Sequence, residues 1–343
     1  MAYTTIKKPS DYFNTKLYTG DATDDRSITG VGFQPDFSWV KRRDSAGSHR
    51  LKDSIRGATK TLISNSTNAE STEANVFQAF ESDGFQLGSD SALNASGGTY
   101  ASWNWLASNT TASNTDGSIT STVSANTTSG FSIVTYTGTG ANATVGHGLG
   151  VAPKMIIVKR LETADNWEVY HESLGNGTAI RLNLNEASFS TSGRWNNTSP
   201  TSSVFSLGTA TVINASGENY IAYCFAEKKG FSKFGSYTGN GSTDGTFVYT
   251  GMRPAFVMIK RTDTANVWHM IDNKRNTFNT VDKVLFAEDS SAEATSGSNQ
   301  VDFLSNGFKA RNSGSQINAS GGTYIYMAFA EEPLVGDNPC TAR

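Results

Sequence analysis

The chain has few of the residues that indicate a disulfide framework or a nucleic-acid surface. Only two cysteines occur among 343 residues, Cys224 in an apolar strand pattern and Cys340 near the C-terminus, so we expect free thiols. Charged residues make up 17% of the chain, below the roughly 25% of typical soluble domains. The formal net charge is −3, whereas a nucleic-acid partner usually requires a basic face. These features argue against disulfide stapling and against nucleic acid as a partner.

Long apolar runs are also missing. The sequence has no run of about 18 apolar residues that could span a membrane, and residues 1–9 lack the apolar segment of a signal peptide. We therefore expect a protein made in the cytoplasm, without membrane insertion or secretion. Glycine is abundant, with 33 residues, and Ser, Thr and Asn fill much of the remainder, which favours short strands joined by turns over helices.

One short pattern occurs three times. A proline is followed by an apolar run of strand length and then by a Lys-Arg pair, and the copies begin at Pro35, Pro153 and Pro254. Bulky β-branched and aromatic residues favour a buried pleated surface, and proline is tolerated at a strand's first residue. Each copy therefore predicts a buried strand. The Lys-Arg pairs at the strand ends are interpreted as solvated tips.

Two further landmarks keep their places around each copy. A Tyr-Thr-Gly begins 17 residues before each proline, and an Asn-Ala-Ser-Gly turn with a tyrosine six residues past its asparagine follows later. The residues are Tyr18, Tyr136 and Tyr237; Asn94, Asn214 and Asn318; and Tyr100, Tyr220 and Tyr324. Repeated landmarks in a fixed order predict repeated structural units.

The landmarks predict an all-β fold of three tandem β-sandwich modules, jelly-roll-like and of about 100 residues each. The competing fold is a single barrel or propeller-like ring built from three sheets, although three units are fewer than propellers usually have. Residues 108–129 are almost entirely Ser, Thr, Asn, Gly and Asp, which predicts an interdomain linker. The predicted boundaries are an N-terminal arm at 1–15, module 1 at 16–107, the linker at 108–129, module 2 at 130–229, module 3 at 230–333 and a C-terminal tail at 334–343.

The last strand of each module carries large side chains on one face and smaller ones on the other. The large faces hold Trp103 and Trp105, Tyr223 and Phe225, and Met327 and Phe329; the opposite faces hold Ser102 and Asn104, Ala222 and Cys224, and Tyr326 and Ala328. Side chains alternate across a strand with period two. We expect one face to pack on a core and the other to lie against something close, as in a two-sheet sandwich.

Acidic residues after the central strand of module 2, namely Glu162, Asp165 and Glu168, are candidates for a glycosidase pair in a polysaccharide depolymerase. No signature surrounds them, and solvated loop charge is the favoured interpretation. Other weak signals are the Asp21, Asp24 and Asp25 cluster, which resembles the start of a calcium loop without its Gly and distal Glu, and a glycine-rich stretch at 138–150 without a Gly-Lys-Ser/Thr. The four histidines lack metal-ligand spacing. We expect no catalytic residue, metal or cofactor.

Aromatic residues supply the remaining candidates. Trp167 and Trp268 both stand eight residues beyond the lysine of their strand, which favours a shared packing role. A polar loop of module 2 holds a candidate glycan-binding set consisting of Arg194, Trp195, Asn196 and Asn197. A tryptophan there could stack on a sugar ring, or could be tucked under its own module. Tyr12 and Phe13 make the N-terminal arm apolar, which suits either virion attachment or packing on module 1.

These residues carry a resemblance. The Gly-Phe-Ser-Ile-Val-Thr-Tyr-Thr-Gly segment from Gly130, the Ala-Pro-Lys-Met-Ile-Ile-Val-Lys-Arg strand from Ala152 and the Asn-Ala-Ser-Gly turns resemble a family of virion structural proteins. That family is encoded by marine tailed bacteriophages, including cyanophages, and is often described as tail-fibre-like. The similarity covers about residues 16–333 and implies a structural, non-enzymatic particle component. Module 1 departs most, with His49 where the other modules have tryptophan.

The resulting expectation is a bacteriophage virion structural protein, most simply a tail fibre or other appendage for host attachment. The alternatives are a capsid decoration (cement) protein and, with less support, a glycan depolymerase. Expected partners are other tail or capsid proteins and a host surface glycan or receptor. Because phage appendages repeat around symmetry axes, and because the small-residue faces could accept a neighbour, we also expect a homotrimer.

Overall fold

The computed structural model describes residues 3–335, and the fold is all-β, as predicted. Strands account for 42% of the chain and helices for 4%. The helical segments are short: 3-10 turns at Pro9–Asp11 and Glu172–Leu174, and α1 (Ser91–Asn94) and α2 (Thr211–Asn214), which lead into the repeated Asn-Ala-Ser-Gly turns.

The strands fall into three groups that follow the repeat. Module 1 contains β1 (Phe13–Thr19), β2 (Arg26–Thr29), β3 (Phe37–Arg42), β4 (Arg50–Asp53), β5 (Lys60–Thr61), β6 (Ser71–Thr72), β7 (Ala79–Glu81), β8 (Gly84–Leu87) and β9 (Thr99–Trp105). Module 2 contains β10 (Ala112–Asn114), β11 (Ser121–Asn126), β12 (Phe131–Thr137), β13 (Ala143–Gly146), β14 (Met155–Arg160), β15 (Glu168–His171), β16 (Thr178–Arg181), β17 (Phe189–Ser190), β18 (Val204–Leu207) and β19 (Asn219–Phe225). Module 3 contains β20 (Ser232–Thr238), β21 (Phe247–Tyr249), β22 (Met252–Arg261), β23 (Trp268–Asp272), β24 (Lys283–Phe286), β25 (Ala294–Thr295), β26 (Val301–Leu304), β27 (Gly307–Ala310) and β28 (Thr323–Pro333).

Each module has two layers. The larger sheet places the strand with the Lys-Arg pair beside the last strand of the module, in the orders β1-β9-β3-β4, β10-β11-β12-β19-β14-β15-β16-β17 and β20-β28-β22-β23-β24-β25. The second layers are β2-β8-β7, β13-β18 and β21-β27-β26, and module 1 has a further two-stranded sheet, β5-β6. Pairing is antiparallel and in equivalent register: Trp39 lies opposite Trp103, Ile157 opposite Tyr223 and Met258 opposite Met327.

The large faces of the three larger sheets meet in one central core. Trp103 and Trp105, Tyr223 and Phe225, and Met327 and Phe329 belong to a single buried cluster that contains residues from all three modules. The Phe37 and Tyr223 rings stack across two modules with centroids 4.3 Å apart, and the Phe225 and Phe329 rings are 6.1 Å apart. Each module thus keeps its own two layers, while the three larger sheets share one core.

The smaller-residue faces lie against the second sheet of their own module. Ala222 and Cys224 pack with Phe205 and Leu207 of β18, and Tyr326 and Ala328 pack with Phe308 of β27. These faces are therefore covered within each module and do not accept a neighbouring chain. The prediction that one face packs on a core and the other lies against a close neighbour describes the strands correctly. The faces with the large side chains meet the other modules, because burying these side chains removes the most apolar surface from water.

Residues 108–129 do not form a free linker. This stretch contributes β10 and β11, and β11 pairs with β12 from Thr122 opposite Thr135 to Asn126 opposite Phe131. Ile119 and Val123, its larger apolar residues, are buried in the module 2 core. This segment is too polar to form a core of its own. It is ordered here because the edge of an existing sheet supplies hydrogen-bond partners for its backbone.

The N-terminal segment is part of the central core. Phe13 begins β1 and is buried, with its ring 4.9 Å from those of Trp105 and Phe329. Ile6 is buried in the same cluster, and the half-buried Tyr12 packs edge-on against Phe231 at 6.0 Å. Of the two predictions for this segment, packing is supported, although on modules 1 and 3 together. In the predicted tail, residues 336–343 lie outside the described residues.

Candidate functional site

The lysines of the repeated Lys-Arg pairs are buried, and two of them bond to a neighbouring module. Lys41, Lys159 and Lys260 are each 0% exposed. The Lys41 ammonium donates to the carbonyls of Ser290 and Ser291 in module 3, at 3.2 and 2.9 Å. That of Lys260 donates to the carbonyl of Asn185 in module 2 at 3.3 Å. The interpretation of these pairs as solvated tips is therefore wrong for the lysines.

Burial controls the ionisation of these lysines. It lowers the pKa of Lys41, Lys159 and Lys260 to about 8, because the lost hydration of the ammonium outweighs the attraction of nearby carboxylates. Their ammonium groups also donate to the carbonyl of the next residue, for example Lys159 to Arg160 at 2.8 Å. The hydrogen bonds of the lysines thus hold the strand ends in place. Keeping the buried ammonium groups charged nevertheless costs free energy.

The arginines that follow the lysines hold the turn to the last strand. Arg42 donates to both oxygens of Asp44, whose carboxylate also accepts from the Thr99 backbone at 2.8 Å. Arg261 and Asp263 form the same arrangement with Thr323 in module 3. In module 2, Arg160 pairs with Glu218 at 3.2 Å. Residues that could mark a basic binding surface are therefore neutralised locally.

The residue eight positions past each lysine bonds to a neighbouring module. The Trp167 indole N–H donates to the Ile63 carbonyl at 2.9 Å, joining module 2 to module 1. The Trp268 indole donates to the Arg181 carbonyl at 2.9 Å, joining module 3 to module 2. The shared packing role predicted for these tryptophans is thus accompanied by an intermodule hydrogen bond.

His49 completes the same cycle in module 1. Its Nδ1 accepts from the Trp39 indole at 2.8 Å, so Nε2 carries the proton and donates to the Phe286 carbonyl of module 3 at 2.9 Å. Burial lowers the pKa of His49 to about 3, which keeps the ring neutral. A neutral imidazole has one N–H donor, as an indole has. His49 can therefore take the place of tryptophan in the cycle of intermodule hydrogen bonds.

A second cycle runs through the residue twelve positions past each lysine. Asp53 accepts from the Tyr223 hydroxyl at 2.8 Å, joining modules 1 and 2, and Asp272 accepts from the Trp103 indole at 3.1 Å, joining modules 3 and 1. His171 closes the cycle at the Tyr326 carbonyl, 3.2 Å away.

Buried arginines accompany both aspartates. Arg56 and Arg275 donate to Asp53 and Asp272, each through Nε at 2.5 Å. Burial raises the pKa of Tyr223 well above its ordinary value, and the neighbouring Asp53 carboxylate adds to the shift. Paired in this way, the carboxylates serve as intermodule acceptors, and these contacts hold the ring of modules together.

The remaining repeat landmarks build one turn three times. The rings of Tyr18 and Tyr100 stack at 4.9 Å, and the Tyr18 hydroxyl donates to the Leu93 carbonyl at 2.9 Å. The buried Asn94 side chain donates to the carbonyls of Thr23 and Gly88 and accepts from the Asp21 backbone. In module 2 the stacked rings are Tyr136 and Tyr220, and the buried asparagine is Asn214. In module 3 they are Tyr237 and Tyr324, with Asn318.

The glycine of each Tyr-Thr-Gly is required by the close approach of this turn. A Cβ on Gly20 would lie 2.1 Å from the Ala95 carbonyl oxygen, and one on Gly138 would lie 2.3 Å from that of Ala215. Gly239 has the same restriction against Ala319, at 2.2 Å. The repeated motif is therefore explained by internal packing and hydrogen bonding.

The acidic residues considered for a depolymerase are held by separate partners. Glu162 lies in the turn after β14 and accepts from the Asn219 backbone and side chain, at 3.0 and 2.7 Å. Glu168 is buried and pairs with Arg181 and Arg194 at 3.3 and 3.2 Å. Asp165 lies 3.7 Å from Arg160. Each carboxylate is thus engaged by a structural partner of its own.

The predicted glycan-binding set does not form a stacking surface. Trp195 is only 2% exposed and packs edge-on against Tyr170 at 5.8 Å inside module 2. Arg194 extends to the buried Glu168, while Asn196 and Asn197 adopt positive φ angles of 50° and 47° in the exposed turn. The stacking prediction for Trp195 is contradicted, because a ring that fills the gap between the two sheets cannot also meet a sugar.

The weaker sequence candidates have structural partners. Asp21 caps Thr23 and pairs with Arg26 at 3.1 Å, and Asp24 accepts from Gln78 at 2.8 Å. Within residues 3–335 no group of three or more His, Cys, Asp or Glu side chains is arranged to hold a metal ion.

Two surface depressions are distinguished by the residues that line them. A groove of about 460 Å³ runs between modules 2 and 3 and is lined mainly by hydroxyl-bearing residues such as Thr178, Ser188 and Ser236. A smaller cleft of about 250 Å³ lies near the N-terminal segment and includes Tyr3, Lys229 and Tyr249.

Sequence analysis did not identify the exposed aromatic residues Phe247 and Tyr249. They are 44% and 54% exposed on the outer face of β21. Alignment of the three smaller sheets would have revealed them, because the positions paired in the same way hold Ser27 and Thr29 in module 1. This departure from the repeat marks module 3 as different on its surface.

Comparison with known proteins gives a family-model match that covers nearly all of the repeated structure. No helix among the described residues is long and apolar enough to cross a membrane. Searches of curated proteins and of solved structures give no match. A family model described as "Domain of unknown function (DUF7483)" matches residues 8–333. Because this match spans all three modules, the chain belongs to the DUF7483 family.

Proposed function

We propose that the protein is a structural component of a bacteriophage particle, working in a tail fibre or other appendage for host attachment. The resemblance of the repeated segments to virion structural proteins supports the particle assignment. The geometry supports a structural role, since the repeated residues that could suggest a binding or catalytic motif are used to join the modules and build their turns.

The observation that carries this proposal is the closed cycle of contacts between modules. Trp167, Trp268 and His49 each donate to a carbonyl of a different neighbouring module. Each module is held by two others, so we expect the three modules to behave as one rigid unit. Rigidity and surface loops on a repeated scaffold suit a part that bears load and presents a binding face.

Catalysis is the rival hypothesis, and a glycan assay separates it from the structural one. The purified protein is incubated with host surface polysaccharide, and new reducing ends are measured. We expect none above the level of a heat-denatured sample. Cleavage that is lost in the Glu162→Gln or Asp165→Asn variant, with folding intact, would contradict the structural assignment.

The position on the particle is the next part of the proposal, with capsid decoration as the alternative. A flexible linker between modules would extend the reach of a fibre. Because residues 108–129 belong to a sheet, that argument no longer supports the fibre assignment. The appendage assignment is supported instead by the exposed aromatic side chains of module 3, which suit a surface that meets an external partner.

Electron microscopy of intact particles tests this position. A gold-labelled antibody against the protein is applied to virions, and label is expected on the tail. Pre-incubation of the antibody with purified protein provides the control. Label spread over the capsid lattice, with none at the tail, would replace the fibre assignment by capsid decoration; label on neither would overturn the particle assignment itself.

A homotrimer remains part of the proposal, now on the basis of appendage symmetry alone. The small-residue faces that suggested a neighbouring chain are covered by β8, β18 and β27. Mass measurement at micromolar concentration and on the assembled particle checks this. A monomer in both settings would contradict it.

A further inference from the structure

The surface of module 3 carries an aromatic pair that the other modules lack. In β21, Phe247 lies opposite Lys309 and Tyr249 lies opposite Gly307. The equivalent pairs in module 1 are Ser27 with Gln86 and Thr29 with Gly84. In module 2 they are Thr144 with Ser206 and Gly146 with Val204. Only the module 3 copy places two large aromatic side chains outward at these positions, so the repeat scaffold does not account for them.

Tyr249 forms one wall of a cleft, and Tyr3 of the N-terminal segment forms another. The Tyr3 hydroxyl donates to the Gly251 carbonyl at 2.8 Å. Gly251 has a φ angle of +72°, and a Cβ on it would lie 2.8 Å from the Tyr3 hydroxyl and 3.5 Å from that of Tyr249. Glycine at this position therefore lets both phenol groups converge at one point. Burial, with Tyr249 nearby, raises the pKa of Tyr3 to about 12, so the hydroxyl stays protonated and can donate.

The charges around the cleft leave one cation without an acidic partner. The Lys233 ammonium is 2.8 Å from Glu227, which neutralises both groups. The Lys229 ammonium lies 4.4 Å from the centre of the Tyr3 ring. Among the described residues, Lys229 forms no ion pair. A ligand that brings its own carboxylate would complete the charge pattern of the cleft.

We propose that this cleft, built from Tyr3, Lys229 and Tyr249, binds an acidic saccharide unit. An aromatic face accepts the C–H face of a pyranose ring, and the Tyr249 hydroxyl can bond to a ring hydroxyl. Lys229 pairs with the carboxylate of the sugar. The volume of about 250 Å³ is below the roughly 300 Å³ at which pockets for drug-sized ligands begin, so the cleft takes about one ring. Phe247, two residues away on the same face of the strand, extends the apolar surface for a neighbouring ring.

A partner protein fits this surface less well. Stable protein interfaces bury about 800 Å² on each partner and centre on a well-packed apolar core. Here the aromatic residues border a small concave site with an ammonium that has no acidic partner among the described residues and with several hydroxyl groups. The inference rests on the proposed attachment function for its biological meaning, since an acidic surface glycan would be the receptor.

The test uses the full-length protein and two acidic probes, a galacturonic acid trimer and sialyllactose, each with its neutral counterpart, a galactose trimer and lactose. Binding is followed by saturation-transfer NMR and by titration calorimetry. We expect at least one acidic probe to bind at least fivefold more tightly than its neutral counterpart. Lys229→Gln should remove that preference. Phe247→Ser with Tyr249→Thr, which restores the residues of module 1, should abolish binding.

The exposed Phe278 supplies a matched control, because its ring is 77% exposed outside the cleft. Phe278→Ser should bind as the unmodified protein does, and circular dichroism should show all variants to be folded. The proposal is overturned if neither acidic probe binds at millimolar concentration, if neutral probes bind equally well, or if the double variant still binds. Binding without tail localisation would refute the attachment function alone, whereas tail localisation without binding would refute this inference alone.

Discussion

At the scale of single residues, the repeated positions are explained by buried polar groups that need specific partners. Asn94, Asn214 and Asn318 are each 0% exposed and bond to backbone groups of two separate loops. No apolar residue of similar size offers both an N–H donor and a carbonyl acceptor. The sequence revealed these positions by repetition, but their partners lie up to 78 residues away and could be identified only in the folded chain.

Replacing one repeated asparagine should destabilise the protein strongly. In Asn214→Ala, the carbonyls of Ala141 and Gly208 and the backbone N–H of Thr139 lose their partner. Leaving a buried polar group unpaired costs about 1–3 kcal/mol, so we expect a loss of at least about 2 kcal/mol in the free energy of unfolding. Chemical denaturation measures it. Asn142→Ala, at an exposed position, is the control and should change stability by less than about 0.5 kcal/mol.

The buried lysines should make stability rise with pH above 8. Burial lowers the pKa of Lys159 from 10.5 to about 8 in the folded chain. Between these values the unfolded chain binds more protons, so the free energy of unfolding increases with pH. Lys159→Met removes this contribution and should reduce the slope between pH 8 and 10, by at most about 1.4 kcal/mol per pH unit.

The same titration in Lys274→Met, at an exposed lysine, should leave the slope unchanged. The measurement stops at pH 10, because buried tyrosines such as Tyr136 have raised pKa values and oppose the trend above that point. An equal slope in the Lys159→Met variant and the unmodified protein would show that Lys159 does not ionise as its burial requires.

At the scale of elements, β11 shows how a polar segment becomes ordered. Its residues have little apolar surface, and composition alone predicts a linker. The edge of β12 supplies the missing hydrogen-bond partners, and Val123 then reaches the module 2 core. Whether such a segment is free or paired depends on an edge that belongs to another part of the chain.

Hydrogen exchange separates these two states of residues 121–126. If they form β11, their amides should exchange at least about 100-fold more slowly than those of Thr110 and Thr111, which are exposed in the same predicted linker. Mass spectrometry of peptic fragments or NMR measures the rates. Equally fast exchange across residues 108–129 would restore the linker prediction.

At the scale of the whole molecule, the modules share a core and should unfold together. Phe329 contacts Phe13 and Trp105 of module 1 and Phe225 of module 2. A module removed from this ring would expose its large face to water, which is costly for aromatic side chains. The three modules are therefore repeats in sequence but one unit in stability.

Calorimetry should show a single unfolding transition. Phe303→Ala, inside the separate core of module 3, should lower the temperature of that whole transition, because it costs about 3–5 kcal/mol. Phe329→Ala in the central core should do the same. If the modules unfolded independently, Phe303→Ala would shift only one of several transitions and leave the others in place.

The sequence by itself determined the all-β class, the threefold repeat and the alternation of large and small side chains, since all three depend on local propensity and on a period of two. The tertiary structure decided which face meets another module, whether residues 108–129 are paired, and where Trp195, Phe13 and the repeated lysines lie. It also revealed the exposed pair of Phe247 and Tyr249, which composition does not distinguish from buried aromatics. These outcomes depend on contacts between residues far apart in the chain, such as Lys41 with Ser291 and Tyr3 with Gly251. Which of these contacts form depends on which apolar faces become buried against each other in the folded chain. A local sequence pattern does not contain that information.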